Sequence, residues 1–332
     1  MRHRAAYLRA WTLPLLLATA GGGNADADQH GHAHHSSGPR QVRVIHNFEP
    51  SSLTSPHGAV SKVKLRSDLT AVETGELAHH RDGMEIDFRF AEDVWILGYK
   101  TEIYDDKNQI PGDEIYLCHS FLGSQFVSQD PNQNFKGVFT DSFTRQVRLP
   151  EGFAVKMTPT DAIQWMQMFL NRTSQVAEVG MTAELEVIRN KDLKKPLRPV
   201  YSTLRSVQVP HLYYVLPGRD TRDSTFEMPH NGRIHYMNAH IHPYGESVEL
   251  YNLTRDEQVW KGTLKTNAPG KFETMDYYSS KDGYPFKAGE RFRLTGSYNN
   301  TTDEMVDAMA GVFIFYTLDE EQPSAPTTRP SR

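Results

Sequence analysis

Cysteine is almost missing from this chain: Cys118 is the single thiol in 332 residues, so no internal disulfide can form. Long apolar runs are also missing after the first twenty residues, which leaves no segment able to cross a bilayer as a helix. The net charge of -5 provides no basic field, and nucleic acid is excluded as a partner on that ground. Sustained 3.6-residue periodicity with capping residues is scarce, so a helical bundle is excluded as well.

What is present begins with an export signal. Arg2, Arg4 and Arg9 precede a short apolar stretch from Trp11 to Ala20, followed by small residues and the A-x-A triplets Ala18-Thr-Ala20 and Ala25-Asp-Ala27. This reads as a secretory leader over 1–27 and predicts an exported, periplasmic or extracellular protein. Residues 28–40 contain His30, His32, His34 and His35 in a polar setting too poor in apolar residues to pack, which suits loose capture of a metal by a flexible segment or a plain solvated linker. The sequons at Asn171, Asn252 and Asn299 would carry glycans only in a eukaryotic secretory route.

From 41 onward, short runs of period 2 alternate with turn residues, as in Met84-Glu-Ile-Asp-Phe-Arg-Phe90, Met181-Thr-Ala-Glu-Leu-Glu-Val-Ile188 and Phe292-Arg-Leu-Thr-Gly-Ser-Tyr298. The pattern predicts an all-β chain of two tandem antiparallel β-sandwich, jelly-roll-like domains. The expected boundaries are 41–190 for the first domain, 191–206 for a charged, proline-bearing linker, 207–318 for the second domain and 319–332 for a disordered tail.

The chemistry is expected at His240-Ile241-His242. Side chains two apart on a strand share a face, so both imidazoles can reach one ion. A thioether before the last strand, Met309 or Met305, would complete a soft donor set suited to copper, above all Cu(I), with a position left for dioxygen. The other reading of Met309 is a core residue beside Val312-Phe-Ile-Phe315. His235, an odd number of residues from His240, should face away unless a bulge intervenes. Asn238 and Glu246 are the candidates to orient a ligand imidazole. His46, His57, His211 and His230 have no partner at metal spacing.

Residues 207–318 resemble the C-terminal catalytic domain of the copper type II, ascorbate-dependent monooxygenases, the peptidylglycine α-hydroxylating and dopamine β-monooxygenase group. The resemblance rests on Leu216-Pro-Gly218, His240-Ile-His242 followed by Tyr244-Gly245, the Gly289-Glu-Arg-Phe292 turn and Asp307-Ala-Met309. It implies a copper held by His240, His242 and Met309, ascorbate or a similar external reductant, and a small-molecule or peptide substrate. It also places Cys118-His119 and Phe169 where the family holds its electron-supplying copper with three imidazoles, so that second site should be absent or rebuilt. His79 and His80 are an alternative adjacent pair that could join Cys118 and His119.

Rival readings are a copper-binding or copper-delivery protein on the same fold, with a copper donor or acceptor protein as partner, and a blue-copper carrier, for which Cys118 is expected to lie in the wrong domain. A zinc hydrolase is disfavoured by the thioether and by the lack of a general-base Glu after the imidazole pair.

Overall fold

The computed structural model describes residues 42–74, 77–78, 86–109, 115–124, 135–266 and 274–320, and the account below concerns these. The expected leader, the His-rich segment, His79 and His80, and the tail beyond residue 320 lie outside them.

The described chain is all-β apart from one 3-10 turn at Asn190–Asp192. The first sandwich has one sheet ordered Arg43–Ile45, Ile86–Phe90, Ile163–Asn171, Ile115–Ser124, Lys136–Thr140. Its second sheet runs Arg198–Pro199, Phe153–Met157, Val94–Asp105, Ala177–Arg189, Ser61–Arg66, Glu49–Pro50. The second sandwich pairs a sheet of Tyr201–Ser206, Ala310–Leu318, Gly232–Ile241 and Tyr278–Phe286 with a sheet led by Gly218–Glu227, Arg291–Asn300 and Gly245–Asn252. A two-stranded ribbon, Tyr213–Val215 with Val306–Ala308, lies beside it. Pairing is antiparallel except at Arg43–Ile45 with Ile86–Phe90 and at Phe153–Met157 with Arg198–Pro199.

The latter half of the stretch expected to be a linker, 191–206, is paired structure. Arg198–Pro199 joins the first sandwich and Tyr201–Ser206 pairs along Ala310–Leu318, so the second sandwich begins before residue 207. Backbone N–H and C=O groups that would need solvent in a free linker are satisfied in the sheets on either side.

The two halves also share their interior. Strand Arg291–Asn300 alternates between buried and part-exposed positions, as a sheet with one wet face should. Gly232–Ile241, Ala310–Leu318 and Ile163–Asn171 are buried on nearly every residue. Met237, Ala239 and Ile241 enter the core of the second sandwich, whereas Tyr236, Phe313 and Phe315 belong to the core of the first. Phe139 stacks on Phe313 with centroids 3.5 Å apart. The described residues accordingly belong to one compact unit.

An internal likeness supports the two-sandwich reading. The Asn171 amide donates to Val72 O and Gln175 O while its carbonyl accepts from the Thr173 N–H and hydroxyl. Asn300 does the same with Val215 O, Glu304 O and Thr302. Asn171 and Asn252 are fully buried with their amides engaged, which closes both sequons to a glycan in the folded chain.

Beside His235 the backbone requires glycine. Gly283 has φ +67, and a Cβ there would meet the His235 ring at 2.7 Å and the Ile234 carbonyl at 2.9 Å. Gly283→Ala is expected to lower stability by about 1 to 3 kcal/mol, from the left-handed conformation and the clash together. Urea unfolding at pH 7 checks this, and an unchanged midpoint would refute it.

Candidate metal centre

Cys118 is placed by an irregularity in its strand. Along Ile163–Asn171, Met168 pairs with His119 and Phe169 with Leu117, so Cys118 is the extra residue of a β-bulge. A bulge lets neighbouring residues aim at one side instead of alternating. Leu117 points into the first core, while His119 packs against Phe139 and His240. The Cys118 thiol thereby reaches across to the second sandwich.

There it meets the His-x-His pair. Cys118 Sγ is 3.7 Å from His240 Nε2 and 3.4 Å from His242 Nε2, and the three donor atoms lie within 4.8 Å of one another. Imidazole and thiolate donors held about 2.0 and 2.3 Å from one ion at tetrahedral angles are separated by about 3.5 Å. The observed spacing fits one metal ion. All three residues are buried, Cys118 5 %, His240 5 % and His242 3 % exposed.

Both rings are oriented from behind. His240 Nδ1 is 3.1 Å from Asp141 Oδ2, and His242 Nδ1 is 2.5 Å from Asp307 Oδ2. A carboxylate accepts, so each Nδ1 carries the proton and each Nε2 presents its lone pair to the centre. Asp141 is itself fixed, its Oδ1 accepting from the N–H groups of Phe143 and Thr144. Burial pushes the His242 pKa down against the opposing pull of Asp307, which keeps the ring in the neutral, ligating form. Burial pushes the Asp307 carboxyl up, but the hydrogen bond from His242 and the charge of Arg172 bring it below the usual carboxylate range. Burial, with Asp141 and Asp307 nearby, drives the Cys118 thiol well above its ordinary range. Without metal the thiol keeps its proton, and a metal ion must displace it.

Met309 stands directly across from His242. The register His240↔Gly311, Ile241↔Ala310 continues into the His242 N–H bond to Met309 O at 3.0 Å, so Met309 and His242 share a face. The Tyr298 hydroxyl fastens the pair, accepting from the His242 N–H at 3.0 Å and the Met309 N–H at 3.1 Å and donating to Met309 O at 2.6 Å. Met309 is 9 % exposed and Met305 56 %, so of the two only Met309 is buried beside the imidazole pair.

Several sequence expectations are revised here. Cys118 does not belong to a separate site in the first domain but joins His240 and His242; the objection that it lies in the wrong domain falls because the two sheets pack face to face. His119 lies beside the centre, its Nδ1 3.5 Å from Cys118 Sγ and its ring 5.6 Å from that of His240. Asn238 and Glu246 do not orient the imidazoles: neither amide atom of Asn238 has a hydrogen-bond partner, and Glu246 pairs with Arg219. Asp141 and Asp307 take that role; Asp307 lies in the Asp307-Ala-Met309 stretch that carries the resemblance, whereas nothing in the sequence marks Asp141. His235 does occupy a bulge, between Ile234 and Tyr236, but its ring bonds to Ser280 O and Thr317 Oγ1, away from the centre.

No family model matches the chain, and no curated protein does. Among solved structures, the major capsid protein P2 of bacteriophage PM2 aligns over 78 % of this chain and 100 % of its own, at 8 % identity and TM-score 0.35. A cowpea mosaic virus empty-particle chain aligns over 78 % and 89 %, at 7 % identity and TM-score 0.34. The all-β sandwich architecture rests on the sheets themselves, and the donor set Cys118, His240, His242 rests on the interface that those sheets make.

Proposed function

We propose that the protein is an exported copper protein in which Cys118, His240 and His242 would hold one ion, with Met309 opposite His242 as the candidate further donor, and that it serves as an electron carrier. The observation that carries this reading is the convergence of one thiol and two carboxylate-backed imidazoles on a single point. Two imidazoles and a thiolate with a distant thioether form the donor set of copper electron-transfer centres, whereas a thioether adds little to a zinc site. Bound copper would supply one-electron chemistry. The chain supplies burial that keeps substrates off the ion, fixed imidazoles that need no rearrangement between redox states, and Tyr298 as a rivet for the His242 and Met309 backbones. Export is supported by the leader, and the histidines at 30–35 suit capture of copper for the site.

A second reading, oxygen activation with ascorbate as reductant, is favoured by His240, His242 and Met309 facing one another across the strand pair in the order the family resemblance implies. Anaerobic Cu(I) titration of a chain beginning at Gln41 separates these readings when paired with an oxygen electrode. One tightly held ion per chain, with no oxygen uptake above free copper when ascorbate is added, is the expected result. Sustained ascorbate-dependent uptake that His242→Ala abolishes would establish the oxygenase instead, and absence of tight copper would defeat both.

A further inference from the structure

The two imidazoles are backed differently. Asp141, behind His240, is fully buried and satisfied by two backbone N–H groups, so its surroundings are neutral dipoles. Asp307, behind His242, faces a cation: Arg172 Nη2 is 3.5 Å from Asp307 Oδ1 while Oδ2 accepts from His242. Arg172 comes from the first sandwich and Asp307 from the second. The arginine stands in the Asn171–Gln175 turn, where the bonds of the buried Asn171 amide fix the backbone on both sides of it. Its guanidinium also lies over the Tyr116 ring, 5.8 Å from the centroid, on the strand that bears Cys118. A turn pinned this firmly holds a cation in place, not merely near.

We infer that Arg172 is a positioning residue of the metal centre, which by drawing charge from Asp307 limits the electron donation of His242 and raises the reduction potential of the ion. The inference rests on the copper reading given above. A carboxylate hydrogen-bonded to a ligand imidazole makes that ligand more basic and favours the more highly charged metal state. A cation on the far oxygen of the carboxylate opposes this, and its own field also disfavours the higher charge. The Arg172–Asp307 pair is half-buried, with its closest N–O approach at 3.5 Å, and a purely structural role would alter stability while leaving the potential where it was.

The full copper-loaded chain with Arg172→Gln and, separately, Arg172→Lys tests this. Arg172→Gln should still bind one copper, with a lower potential, equivalent to a roughly tenfold rise in the ratio of Cu(II) to Cu(I) affinity. Arg172→Lys, which keeps the charge, should recover most of the shift. An unchanged potential in Arg172→Gln, or equal shifts in both variants, would overturn the inference while leaving the copper reading intact. Failure of the parent chain to bind copper would overturn both.

Discussion

Loaded with Cu(II), the protein is expected to be intensely coloured, and Cys118→Ser is expected to remove the colour. A thiolate bound to Cu(II) gives a strong visible charge-transfer band, which imidazole and thioether ligands do not. Serine is close to isosteric with cysteine, and the position is buried in a strand whose hydrogen bonds are main-chain, so the fold should be retained. The hydroxyl does not ionise at neutral pH and makes a poor ligand. Copper affinity should therefore fall by more than the roughly ten- to hundredfold that loss of an orienting group behind a ligand costs. His119→Ala is the control: His119 lies outside the triad, and its loss should preserve both colour and stoichiometry. A colourless parent holding one copper, with a Cys118→Ser variant of equal affinity, would mean that the ion sits on His240, His242 and Met309 alone. The oxygenase reading would then gain ground.

Local pattern carried a good deal of this into the sequence. Period-2 alternation exposes the strands, and the H-x-H spacing exposes His240 and His242 because a strand presents every second residue to one side. Met309 lies opposite His242 by its register and is buried there. What the sequence withheld arises from long-range packing. Cys118 reaches the imidazoles only because a bulge shifts the alternation of its strand and because its sheet packs against the sheet that bears His240 and His242. No local signal announces a bulge of that kind in Leu117-Cys-His-Ser120. Asp141 sits in a turn 99 residues from the ring it orients, with nothing around it to mark a metal ligand's partner. The latter half of the expected linker is paired for a related reason: prolines and charges are common in loops, yet Pro199 and Arg198 sit on an edge strand, where a missing N–H is tolerated.

Acid should weaken the fold through a histidine that takes no part in the centre. His235 is 1 % exposed, stacked on Phe153 at 3.9 Å between centroids, with Nδ1–H donating to Ser280 O and Nε2 accepting from Thr317 Oγ1. Burial pushes its pKa down to about 4, with Arg198 and Arg233 adding to the effect and the Ser280 bond and Asp282 opposing it. In the unfolded chain the ring titrates near 6.5, so between the two values the unfolded state binds the proton and the native state does not. The stabilisation is fully present above pH 6.5, declines as the pH falls, and is gone below about pH 4, a loss of about 3 kcal/mol. Phe153 belongs to the first sandwich and His235 to the second, so protonation should loosen the contact between the halves. Denaturant unfolding of the metal-free protein at pH 7 and pH 4, compared with His235→Gln, isolates the contribution, since the other titrating groups cancel between the two chains. The variant should be less stable at pH 7 but lose about 3 kcal/mol less on acidification. Equal acid sensitivity in both chains would show that the His235 pocket accepts the charged ring.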